Sequence, residues 1–171
     1  MAQLLFQDAI DYQKVYIYNR HFFFLKNNHT AMAPLGSIYF PLGCYEQDFS
    51  LANDRKKEWF IHELTHVWQY QMGYNVVWAA FRLFLQKGYQ HTKRGQAAYQ
   101  IDFSKYERTQ FTQFNMEQQA QIVCQYFAAV YLKQAAYQNK IPFLAPILVT
   151  FLKQPNNKSL VPLYYRIDGD I

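Results

Sequence analysis

The sequence predicts a mainly helical α+β domain, with a small N-terminal antiparallel sheet and a central helix carrying a His-Glu-x-x-His segment. Three observations lead there. β-branched and aromatic residues gather in two short runs between residues 15 and 40. Beyond Asn53 the chain falls into stretches of helical apolar spacing with capping residues. Apolar residues make up 51% of the 171 residues, enough for a real core, and no repeat, low-complexity tract or linker divides residues 1–171 into more than one domain.

The elements follow in order. The first dozen residues suit a short helix. Val15-Tyr16-Ile17-Tyr18 reads as a strand, and the apolar stretch His21 to Leu25 can continue its pairing. Asn27-Asn28-His29-Thr30 is a turn. Gly36-Ser37-Ile38-Tyr39-Phe40 is a second strand, punctuated by Pro41 and Gly43. Asn53 or Asp54 caps a helix running to about Met72, with Gly73 as its stop. Its Trp59, Phe60, Ile61, Leu64, Val67, Trp68 and Tyr70 lie on nearly every side, the mark of a buried helix. Val76 to Gln86 is a second helix, ended near Gly88. Gln90 to Gln113, polar and aromatic, reads as a long loop across one side. Asn115 caps a third long helix reaching about Gln138, with Ile122, Val123, Tyr126, Phe127, Val130 and Tyr131 on one face. Pro142 to Lys153 is a shorter helix, and the tail from Pro155 is extended.

Composition excludes several classes. The net charge is +5 and the pI about 9.1, but Lys and Arg are scattered, with short clusters only at Arg55-Lys56-Lys57 and between Lys87 and Arg94. A nucleic-acid binder would gather them on one face or arm; an acidic partner or surface fits better. The two cysteines, Cys44 and Cys124, make no disulfide framework and no cysteine-based zinc knuckle. They read as reduced, buried residues. The start, Met-Ala-Gln-Leu-Leu-Phe-Gln-Asp, has no basic leader. The longest apolar run, Ile141 to Leu152, holds two prolines and is too short to span a bilayer. The expectation is a soluble chain with no membrane span, cytoplasmic or exported by a route that uses no cleavable signal.

His62-Glu63-Leu64-Thr65-His66 carries the chemistry. Histidines four apart share one helix face and can both reach one zinc ion. Glu63 is turned about a hundred degrees away by the helix period, within reach of a water held at such an ion. A catalytic zinc wants a third protein ligand and an open position. A metzincin-type site is excluded, because Gln69 and Met72 stand where that class needs Gly and His. The remaining downstream donors are His91, Asp102, Glu107, Glu117, Cys124, Asp168 and Asp170. Glu117 is favoured, in the first turn of the helix capped by Asn115, where a carboxylate also suits the helix dipole. Asp102, flanked by Ile101 and Phe103, is a candidate to support a ligand from behind. His91, Tyr99 and Tyr106 are candidates to stabilise an oxyanion.

The segment from Phe60 to Gln69 resembles the active helix of the gluzincin zinc peptidases. Glu117 on a later helix is where that class keeps its third ligand. More narrowly, Tyr18-Asn19-Arg20, Thr30-Ala31-Met32, Gly36 to Phe40, the His62 helix and Asn115 to Ala120 resemble small bacterial Vgr- or Rhs-related metallopeptidase-like proteins. The resemblance implies a zincin-like fold, a Zn2+ cofactor, and a possible partner in a bacterial secretion system. It also implies that the position four residues after Glu117, often Asp in the class, orients a ligand histidine; here it is Gln121, an amide without charge. The expected reaction is zinc-dependent hydrolysis of peptide bonds in a peptide or protein substrate, with Glu63 as general base on the attacking water. The strand Gly36 to Phe40 could pair with an extended substrate. The alternatives are a catalytically weak or inactive zincin-like accessory protein of a secretion system, or an enzyme acting on cell-wall peptides.

Overall fold

In the computed structural model, which describes residues 1–22, 30–92, 95–101 and 110–165, the architecture is mainly helical. After a short first helix, α1 (Gln3–Phe6), two long helices pack against each other at the centre, α2 (Asp54–Gln71) and α4 (Met116–Val130). Asn53 starts α2 by accepting a bond from the Lys56 amide at 3.0 Å, which satisfies an otherwise orphaned first-turn donor. Ile61 through Gln69 are all buried, so this half of α2 lies inside the molecule with protein on every side. It ends where Gly73 takes φ +92°, a conformation open to glycine at little cost. Asn75 then caps α3 (Val76–Leu85), accepting from the Trp78 amide at 2.9 Å.

Asn115 starts α4, accepting from the amides of Glu117 and Gln118 while the Gln118 side chain returns to the Asn115 amide. The helix expected to reach Gln138 stops at Val130. Lys133 turns to φ +55° and α5 (Ala135–Gln138) begins afresh. No Gly or Pro in 131–138 marks this break, so residue type alone does not announce it. α6 (Ile141–Lys153) tolerates Pro142 in its first turn and Pro146 soon after. Its Phe151 ring packs on Phe6, Trp68 and Phe111, with centroids 5.8, 5.1 and 5.3 Å away. The main core joins α1, α2, α4 and α6 with Ile38, Phe40, Phe49 and Phe111 from the strand and connecting segments; a smaller cluster of Tyr74, Val76, Ala79, Leu83, Ala98 and Met116 lies under α3.

The sheet corrects an expectation. β1 (Ile17–Asn19) and β2 (Ile38–Phe40) pair in parallel, Ile17 opposite Ile38, and are not an antiparallel hairpin. The connection 20–37 is far longer than a hairpin loop and long enough for a parallel return. Antiparallel pairing with β2 is confined, among the described residues, to a bridge in which Met32 and Tyr39 exchange N–H···O bonds of 3.1 and 2.9 Å. Tyr39 therefore has neighbours on both sides, and its backbone is taken where an extended substrate was expected to pair. The span Gln90 to Gln113 is not one open loop either. It contains an antiparallel pair, β3 (His91–Thr92) with β4 (Gly95–Gln96), and 3-10 turns at Ala97–Tyr99 and Phe111–Gln113. The tail makes a 3-10 turn at Lys158–Leu160. The turn read at 27–29 and the stretch 23–25 lie outside the described residues. No described helix is long and apolar enough to cross a membrane.

Candidate metal centre

His62 and His66 occupy successive turns of α2, with ring centroids 5.0 Å apart. Packing of α2 on α4 brings Glu117 up to them. One carboxylate oxygen, Oε2, lies 3.1 Å from Nε2 of each histidine. All three residues are buried, and their ligand atoms lie within 4.8 Å of one another. Two imidazole lone pairs and a carboxylate oxygen facing one another in a buried site repel unless a proton or a cation lies between them. Burial alone would push the Glu117 carboxyl up. The charge of His66 and hydrogen bonds from both histidines outweigh it and hold the group far below its ordinary range. Burial likewise works against a charged His66, but Glu117 reverses this and raises His66 to about 9.

The surroundings fix the orientation of each group. His66 Nδ1 lies 2.9 Å from Gln69 Oε1. The Gln69 amide nitrogen donates to the Met116 carbonyl at 3.1 Å and to Gln119 Oε1 at 3.0 Å, which settles which end of the amide faces His66. An amide oxygen only accepts, so Nδ1 carries the proton and Nε2 points toward Glu117. Gln119 in turn donates to the carbonyls of Phe111 and Leu160, both at 2.9 Å. On the other side the Tyr89 hydroxyl donates to Glu117 Oε1 at 2.8 Å, leaving Oε2 for the histidines. The Tyr99 ring lies 5.8 Å from that of His62 and 6.0 Å from that of Tyr89. Burial, and then the Glu117 charge, keeps both phenols protonated and therefore donors.

Glu63 is buried beside these groups without being part of the converging set. Its Oε1 accepts from the Trp59 indole at 3.2 Å. Burial raises its pKa, and the nearby histidines only partly offset this. The donor set of two imidazoles and one carboxylate fits zinc.

No family model matches this sequence. The chain is 34% identical over 128 residues to the type VI secretion system spike protein VgrG2b of Pseudomonas aeruginosa, an alignment covering 74% of this chain and 12% of the spike protein. It is also similar in structure to the effector domain of Pseudomonas aeruginosa VgrG2b, with a TM-score of 0.63 and 32% identity over 84% of this chain and 77% of that domain. The chain belongs to the VgrG2b effector-domain family. The Vgr-related resemblance read from the sequence is borne out at that level. This VgrG2b-type domain spans about an eighth of the length of the spike protein it matches.

Within this VgrG2b-type domain the other sequence-predicted site residues fare unequally. Tyr99 lies at the centre, as described. His91 is exposed in β3. Gln121 is half-buried on α4, and the outer nitrogen of His66 is held by Gln69 instead, because Gln69 shares the helix with His66 and lies one turn on. Cys124 is buried in the main core. Asp102, Tyr106, Glu107, Asp168 and Asp170 lie outside the described residues. Sequence reasoning missed Gln69, Gln119 and Tyr89. For the two glutamines a signal existed: each occupies a position that the apolar pattern of its helix places inside, where an amide needs partners.

Proposed function

We propose that this chain is an effector module of a type VI secretion system that hydrolyses peptide bonds with zinc held by His62, His66 and Glu117. One observation carries the reading: three buried ligand atoms from two helices converge on one point, with an unliganded glutamate adjoining. Zinc bound there supplies a Lewis acid for the scissile carbonyl and makes the attacking water acidic at neutral pH.

The chain's own residues do the rest. Glu63 takes the proton of the attacking water and passes it to the leaving amine nitrogen. The Trp59 indole donates to its carboxylate and fixes its orientation. In this reading Tyr99, whose ring lies beside that of His62 and whose phenol is protonated, would donate to the developing oxyanion. Gln69 and Tyr89 hold the ligands His66 and Glu117 in register.

A second reading has its own support: the similar proteins are a secretion-system spike protein and its effector domain. In that reading the metal serves stability, and the domain acts by contact with a secretion partner. Glu63→Gln separates the two. With unfolded protein and cell-wall peptides as substrates, the parent protein cleaves one class, and Glu63→Gln keeps its zinc while turnover falls by roughly 10²–10⁴. Equal turnover by the variant refutes the mechanism. No cleavage of either substrate class by the zinc-loaded parent favours the contact reading.

A further inference from the structure

We propose that α3 docks this chain in the plane of an anionic membrane surface. α3 is apolar on both sides. Val76, Ala79 and Leu83 face inward and fill the small core. Outward, Val77, Trp78, Phe81, Phe84 and Leu85 are each 47–65% exposed. The Trp78 and Phe81 rings lie 5.6 Å apart, and helical spacing puts Val77, Phe84 and Leu85 within a turn of them. Five large apolar side chains on one exposed helix are far more than the scattered single residues of an ordinary surface.

Charge selects the occupant. From Leu64 to Ile101 the sequence holds Arg82, Lys87, Lys93 and Arg94 and not one Asp or Glu. Arg82 and Lys87, at the patch and just past its end, are exposed. A second copy of this chain docked symmetrically through α3 would bring Arg82 and Lys87 of the two copies together, with no Asp or Glu on α3 to pair them. An anionic bilayer meets both demands at once. Aromatic and aliphatic side chains enter the boundary between headgroups and acyl chains, and Arg and Lys meet lipid phosphates. At 1.5 Å per residue the helix is roughly 15 Å long, which suits lying in the interface and not crossing it. This inference is independent of whether the metal centre is catalytic.

The test is co-sedimentation of the purified full chain with phosphatidylcholine vesicles, with and without phosphatidylglycerol. Binding is expected only with the anionic lipid and is expected to weaken as salt rises. Arg82→Glu should lower the partition coefficient by roughly tenfold, and the double change Phe84→Ser with Leu85→Ser by at least about as much. Leu51→Ser, at an exposed apolar site outside α3, should leave it unchanged. All the altered side chains are exposed, so folding, checked by circular dichroism, should persist. The proposal is overturned if the parent binds neither vesicle, or if the α3 variants bind as well as the parent. It is also overturned if the lipid-free parent self-associates while the double variant stays monomeric, since α3 would then serve a second copy of the chain.

Discussion

Truncating Gln69 to alanine removes the amide that holds His66 in one tautomer, and the cost can be worked from its three bonds. Gln69 is fully buried. Without it the Nδ1–H of His66, the carbonyl of Met116 and Oε1 of Gln119 all lose a partner. An unsatisfied buried polar group costs about 1–3 kcal/mol. Allowing one of the three to find a new partner, the variant should lose about 4 kcal/mol, or roughly 8–16 °C in Tm for a chain of this size. Zinc affinity should fall separately, by about 10–100-fold, because His66 is no longer pre-oriented. Gln119→Ala is the matched control. It orphans the carbonyls of Phe111 and Leu160 and one N–H of the Gln69 amide, which is still oriented by its bonds to the Met116 carbonyl and to His66. Its stability should drop comparably while zinc affinity stays within a few-fold of the parent. The assay is competition for zinc against a chromophoric chelator, alongside thermal melts of the metal-free protein. Zinc affinity within twofold of the parent in Gln69→Ala would refute the reasoning, as would an equal loss in both variants.

Three further outcomes are expected. Tyr89→Phe deletes the donor to Glu117 Oε1, and zinc affinity measured in the same competition should fall about tenfold. In the metal-free protein His66 is raised from 6.5 to about 9. Its contribution to stability is therefore complete below about pH 6.5 and lost as pH climbs through about 9, which urea titrations across that window will register. Zinc must displace the same proton, so apparent affinity should rise about tenfold per pH unit over the window. Gly36→Ala places a Cβ 2.7 Å from Tyr70 Cδ1 at a φ of +78°, and should cost about 1–3 kcal/mol in chemical denaturation.

Much of the centre was legible because helical rules are local. The four-residue spacing of His62 and His66 puts both on one face whatever the rest of the chain does, and Asn53 and Asn115 start their helices with bonds to amides two or three residues on. Glu117 could be favoured from its place in a first turn. The breaks were less legible: Lys133 leaves the helix with no Gly or Pro nearby, and β1 and β2 look like a hairpin to any reading that ignores the length of 20–37.

His62, Glu63, His66 and their shared helix are properties of the sequence itself, since a turn of helix spans only a few residues and leaves little freedom. That Glu117, distant in the chain, meets both histidines at 3.1 Å was decided by the packing of α2 on α4. The amides of Gln69 and Gln119, the hydroxyl of Tyr89 and the outward apolar side of α3 belong to that same tertiary level. Side-chain partners across a fold depend on which buried faces meet, and that is set by the sum of all contacts and not by any one stretch of residues.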